Sequence, residues 1–150
     1  HELESDKKFN DKNWILKPHP ELKLNPLRKR FDKIFQKVQI SYEPITNLLP
    51  IASFLITNGS SVAIEAIVSG TPVCIAGALN GFIQNPVPSD IDTRLCQICY
   101  TKKEFSNFLQ NILSYKQSDL AHLTKIANKI KIEYFEPVNV NSIKSFLHLN

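Results

Sequence analysis

Apolar residues occur along the chain as short runs alternating with helical stripes, and this alternation sets the expected elements. Residues 2–12 are polar and charged, a leader or the tail of a helix. Trp14-Ile15-Leu16-Lys17 reads as a strand stopped at Pro18-His19-Pro20, where proline on both sides of His19 forces extended backbone. Residues 27–37 place Leu27, Phe31, Ile34 and Phe35 on one face and Arg28, Lys29, Lys33 and Lys37 away from it. That spacing predicts an amphipathic helix with Pro26 near its start. Val38-Gln39-Ile40-Ser41-Tyr42 alternates as a strand, and residues 44–52 read as a short helix or turn. Phe54-Leu55-Ile56 is a short apolar run of the kind that forms a buried strand. Pro72-Val73-Cys74-Ile75-Ala76 and residues 95–100 read as two more strands. Between those two, residues 77–92 lack periodicity and read as a long loop, a setting that often carries function. Thr101-Lys102-Lys103-Glu104 is a capping box opening a helix through Phe105, Phe108, Leu109 and Ile112. Residues 119–134 follow as a second amphipathic helix, through Leu120, Leu123, Ile126, Ala127 and Ile130, and residues 141–149 as a short last one.

The stretch that organises this pattern is the junction after residue 56. Asn58-Gly59-Ser60-Ser61 breaks the apolar run with small polar residues suited to a tight turn and a helix N-cap. The helix that follows is apolar on nearly every side and ends at Ser69-Gly70-Thr71-Pro72, a C-cap followed by a proline stop. A helix start leaves backbone N–H groups unpaired and carries partial positive charge, so it suits an anion such as phosphate. Gly59 allows close approach of the backbone, and Ser60 and Ser61 add hydroxyls. Glu65 lies four residues after Ser61, on the same face one turn deeper. It is the only charge of that helix, and burying it calls for a partner, which the hydroxyl pair of a ribose or sugar would supply. The plainer reading, that the serines cap the helix and Glu65 pairs with a local lysine or amide, is outweighed once Gly59 and Glu65 are added to the serines.

Composition narrows the class. With 43% hydrophobic and 21% charged residues in 150, the chain has the content of one ordinary globular domain. No apolar run approaches the length of a membrane span, and the charged start through Lys8 gives no signal-peptide pattern. The chain contains no Met, which points to a piece of a longer protein. A net charge of +4 suits a phosphate-bearing ligand. The basic residues are scattered, and Arg28-Lys29-Arg30 fits a solvated helix face better than a nucleic-acid stripe, so nucleic acid is not an expected partner. Cys96-Gln97-Ile98-Cys99 has C-x-x-C spacing without a second ligand pair for zinc, and on a strand the two sulfurs face opposite ways. With Cys74 these are expected to be buried thiols. His122 and His148 lie within helices, where surface or packing roles are expected.

Strands alternating with helices predict an α/β fold: a Rossmann-like three-layer domain with a mostly parallel sheet. Its strands order either as two-one-three-four-five or as the remainder of a larger doubly wound sheet. Ligands of such sheets bind beyond the carboxyl ends of the strands. His19 follows the first strand and the serine turn follows the third, so parallel strands would bring both to one rim. Histidine can donate to a phosphate there, where the plainer reading makes Pro18-His19-Pro20 a rigid surface turn.

Taken together, Lys17-Pro18-His19-Pro20, Thr57-Asn58-Gly59-Ser60-Ser61-Val62-Ala63-Ile64-Glu65-Ala66 and Gly70-Thr71-Pro72-Val73 resemble the C-terminal donor-binding half of GT-B glycosyltransferases. The likeness is to bacterial surface-polysaccharide enzymes of the sialyltransferase and Kdo-transferase types, which carry an HP motif and a paired-serine motif. It spans residues 14–113. The resemblance implies that His19 and the Asn58–Ser61 turn hold the donor phosphate, and that His19 is catalytic, offsetting the charge that grows on the leaving nucleotide. It gives Glu65 the ribose hydroxyls and Lys17 a share of the positive charge. A CMP-sugar is the expected donor and a UDP-sugar the second choice, and the scheme takes no metal and no cofactor. It further implies an acceptor glycan bound by an N-terminal domain outside this chain. The central first strand of the donor domain would also lie outside it, so that this piece alone binds without turnover. The expected location is the cytoplasm, with peripheral attachment at the inner membrane face. A second resemblance, to non-hydrolysing UDP-N-acetylglucosamine 2-epimerases, fits less well. Those have consecutive glutamates and a double-glycine turn, where this chain has Asn58-Gly59-Ser60-Ser61 and a single Glu65. The third alternative is a Rossmann-like module without catalysis.

Overall fold

The structure, a computed structural model, describes residues 12–81, 85–135 and 139–148. Residues 2–11 of the leader expected over residues 2–12, the centre of the 77–92 loop and Leu149 lie outside the described residues. The chain divides into two compact units, His1–Pro44 and Ile45–Asn150.

In the first unit, β1 (Trp14–Leu16) pairs in parallel with β2 (Val38–Ile40), Trp14 opposite Val38 and Leu16 opposite Ile40. A parallel pair needs a crossover, and here it is helical but broken. The single helix expected over residues 27–37 is two, α1 (Leu24–Arg30) and α2 (Asp32–Phe35). The break is Phe31, whose φ of −126° and ψ of 38° leave the helical region. The apolar stripe explains why this is tolerated. Leu27 and Phe35 are half-buried, whereas Phe31 and Ile34 stay exposed and neither helix has a buried residue. Arg28 and Arg30 instead stack on the rings of Phe35 and Phe31, at 5.8 and 5.3 Å from the centroids.

The second unit opens with α3 (Ile45–Leu48), which runs into a 3-10 turn over Leu49–Ile51. Then come β3 (Leu55–Thr57), α4 (Val62–Val68), β4 (Val73–Ala76) and β5 (Cys96–Cys99), followed by α5 (Lys102–Leu113), α6 (Gln117–Tyr134) and α7 (Val140–Phe146). The sheet order is β3-β4-β5, all parallel, with Leu55 opposite Val73 and Val73 opposite Cys96. This register decides the layers. Leu55, Val73, Ile75, Cys96 and Ile98 share one face and pack with Ala63, Ala66 and Ile67 of α4 and Leu123 and Ile130 of α6. Cys74 and Cys99 fall on the other face. That face is the one α5 covers, with Phe108 set edge-on to Phe54 at 6.4 Å. Helices on both faces of a parallel sheet make the unit a Rossmann-like α/β/α arrangement.

The mixed α/β class with parallel strands is therefore present. Among the described residues the strands fall in two parallel sheets, β1-β2 in the first unit and β3-β4-β5 in the second.

Two local devices fix the ends of helices. Gly70, at φ +77°, ends α4: its N–H donates to the Ile67 carbonyl and the Thr71 N–H to that of Ala66, both at 2.9 Å. That is the Schellman closure the Ser69-Gly70 sequence predicts. Thr71 is buried and donates its hydroxyl to the Leu49 carbonyl at 3.3 Å, tying this cap to the 3-10 turn. The capping box expected at Thr101 forms as well. Thr101 Oγ1 accepts from the Glu104 N–H at 3.2 Å, while Glu104 Oε2 accepts from the N–H groups of Tyr100 and Thr101. Those backbone donors, Tyr100 first, hold the Glu104 carboxyl below its usual range. Thr101→Ala is expected to lower stability by about 1 kcal/mol, read as an earlier urea midpoint with an unchanged slope.

Candidate functional site

The strand–turn–helix of the second unit brings five of the expected site residues into one segment. β3 ends at Thr57, Asn58 to Ser61 make the turn, and α4 begins at Val62. Gly59 sits at φ +64°, a left-handed conformation that L side chains adopt at a cost. The turn reverses the chain at the carboxyl edge of the parallel sheet, the edge where α/β sheets take ligands.

The serines are only partly engaged in capping. Ser61 is the N-cap residue of α4, yet its side chain makes no cap hydrogen bond and its backbone is already helical. Ser60 Oγ accepts from the Val62 N–H only at 3.4 Å. Both serines are exposed. The amides of Gly59, Ser60 and Ser61 have no protein acceptor among the described residues. Successive backbone N–H groups beside a left-handed glycine form a concavity that suits an anion.

Glu65 is half-buried rather than enclosed, and its carboxylate has neither ion pair nor hydrogen bond among the described residues. Its backbone carbonyl is engaged, accepting from the Ser69 hydroxyl at 2.8 Å. The plainer reading of this segment required the serines to cap and Glu65 to find a local partner. Ser60 makes one such contact, at 3.4 Å to the Val62 N–H, whereas Ser61 makes none and Glu65 has no local partner among the described residues.

Lys17 and His19 belong to the other compact unit. Both are exposed, whereas Pro18 between them is buried. The Leu22 N–H donates to the His19 carbonyl at 2.9 Å, closing a turn over residues 19–22. Within that turn the Glu21 N–H donates to Nδ1 of the His19 imidazole at 3.3 Å.

The metal-free expectation takes the chain to lack an Asp-x-Asp spacing, but Asp90-Ile91-Asp92 is one, a pattern of carboxylates suited to hard cations. The structure uses Asp92 otherwise. Its Oδ2 accepts from Arg94 Nη2 at 2.7 Å, and its Oδ1 accepts from Arg94 Nε at 3.1 Å and from the Arg94 N–H at 2.9 Å. His122 Nε2 stands 3.9 Å from Oδ2, and the Tyr115 hydroxyl donates to the Arg94 carbonyl at 3.1 Å. This cluster ties the loop ahead of β5 to α6 and the segment before it. The paired Arg94 guanidinium holds the Asp92 carboxyl below its ordinary range, about 3.9. Because the folded-state value is the lower one, the stabilisation is complete above the ordinary range and is lost as pH falls through the depressed value. Urea midpoints measured from neutral pH down to the acid limit should therefore fall, with a shallower decline in Asp92→Asn. Among the described residues no group of three or more His, Cys, Asp or Glu stands close enough to hold a metal ion.

The cysteines follow the alternation of their strands, Cys96 on one face and Cys99 beside Cys74 on the other. Burial raises all three thiols, Cys96 to about 11 and Cys74 further, so they stay protonated at neutral pH. Among the described residues no helix is long and apolar enough to cross a membrane. Comparison of the chain with protein-family models and with curated proteins finds no match to either.

Proposed function

We propose that this chain is the donor-binding half of a GT-B glycosyltransferase acting in surface polysaccharide synthesis, and that it holds a nucleotide sugar. The observation that carries the reading is the turn after β3. There, among the described residues, a left-handed glycine, three amides without acceptors, two exposed serine hydroxyls of which only that of Ser60 makes a contact, at 3.4 Å, and an unpaired half-buried carboxylate occupy one short segment.

The chemistry follows from the groups. Amides and hydroxyls are donors matched to phosphate oxygens, and hydrogen bonds to an ionised acceptor are about twice as strong as neutral ones. A carboxylate can only accept, so Glu65 is matched to a pair of hydroxyl groups, as on a ribose. The resemblance assigns His19 to the same donor phosphate, where an N–H donor offsets the charge that develops as the nucleotide departs. Lys17 adds positive charge. The acceptor glycan, the N-terminal domain that would bind it, and work in the cytoplasm at the inner membrane face belong to the same proposal.

The test is calorimetric titration with CMP, UDP and GDP, repeated on His19→Ala. A preference for CMP that weakens in the variant by about 1 kcal/mol or more supports a CMP-sugar transferase. A preference for UDP keeps the turn as the phosphate site and changes the donor, which favours the epimerase or a UDP-sugar transferase. Absence of binding by the full-length protein favours a module without catalysis and ends the transferase reading.

A further inference from the structure

His19 is constrained by its own backbone before any ligand is considered. Lys17 and His19 both precede proline, which restricts each to extended conformations, and the buried Pro18 anchors the segment. The 2.9 Å bond from the Leu22 N–H to the His19 carbonyl then fixes the turn, and the 3.3 Å bond from the Glu21 N–H reaches the ring at Nδ1. A backbone amide can only donate, so Nδ1 must present its lone pair. A neutral imidazole carries one N–H, and it must then be on Nε2.

We infer that His19 is held in advance as the Nε2–H tautomer, with the Glu21 amide as its positioning group, so that its remaining nitrogen serves as a hydrogen-bond donor and not as a base. A base at Nε2 would need the proton on Nδ1, which would set two N–H groups against each other. The acceptor for Nε2–H is an oxygen of a phosphate or carboxylate. Naming it as the donor phosphate rests on the nucleotide-sugar reading, but the tautomer does not.

The experiment is a long-range proton–nitrogen spectrum of the uniformly ¹⁵N-labelled chain, at a pH well above the ordinary imidazole range, with His19 identified by its loss in His19→Ala. The expected pattern is one protonated Nε2 and one unprotonated Nδ1, with the Glu21 amide proton moving upfield in His19→Ala as its acceptor is removed. Glu21→Pro deletes the donor and should relax the ring toward the averaged mixture of free imidazole. A proton on Nδ1, an averaged mixture in the parent chain, or a Glu21 amide unmoved by His19→Ala would overturn the inference. Addition of CMP separates the two readings. A shift of the Nε2 resonance supports both, whereas an intact tautomer without any response to CMP supports the positioning and removes the nucleotide assignment.

Discussion

Ile67→Ala is expected to destabilise the second unit by about 2–5 kcal/mol, the largest effect of any single truncation considered. Ile67 is fully buried on α4, packed among Val73 and Ile75 of the sheet and Leu123 of α6. Removing its outer carbons loses their transfer free energy and leaves a cavity, because the parallel sheet on one side and the long helix on the other limit collapse. Against a typical domain stability of about 5–15 kcal/mol, that is a large share of the total. Urea unfolding followed by circular dichroism should show a much earlier midpoint with an unchanged slope. A change below about 0.5 kcal/mol, the level of a surface substitution, would mean that α4 does not pack on the sheet as described. Since α4 carries Glu65 and begins at the serine turn, that outcome would also remove the scaffold of the proposed site.

The second large effect is expected at Gly59. A left-handed backbone costs an L residue roughly 1–2 kcal/mol, and a β-branched side chain is the worst case. Gly59→Val should therefore lose at least that much stability, or else twist the turn out of the left-handed region and displace the amides of Ser60 and Ser61. Gly59→Asn is the informative partner, because asparagine tolerates this conformation. It should retain most of the stability and the turn. Equal behaviour of the two variants in urea unfolding would show that the positive φ of residue 59 is not what shapes this segment.

Much of this fold is legible in the residues, for identifiable reasons. The strand–turn–helix at residues 54–70 was readable because each step uses a residue type with a narrow conformational preference: an apolar β run, glycine, serine, then Gly70 ahead of Thr71-Pro72. The capping box at Thr101 was readable for the same reason, since it is local. Phe31 shows where locality fails. Its side chain keeps the helical apolar period, and nothing adjacent in sequence announces that its backbone leaves the helix. The division of the strands into two sheets is equally invisible from within any one strand, because register between distant segments is a non-local choice.

The site divides along the same line. Asn58, Gly59, Ser60, Ser61 and Glu65 were identifiable because a short turn and one helical step place them together. The missing cap bond of Ser61 could not be read, since serine at an N-cap normally makes one. The bidentate hold of Arg94 on Asp92 was within reach, as two residues of opposite charge separated by one position can close on each other. The clasp by Tyr115, distant in sequence, was not.

Phosphate binding at the turn after β3 is tested by comparing CMP with cytidine in calorimetric titrations of the parent chain and of the Ser60→Ala/Ser61→Ala variant. The difference between the two ligands isolates the phosphate. The parent chain is expected to bind CMP at least about tenfold more tightly than cytidine, equivalent to about 1.4 kcal/mol, and the double variant to lose most of that margin while remaining folded. Equal affinity for CMP and cytidine in the parent chain, or a margin that survives the double substitution, would contradict phosphate binding at this turn.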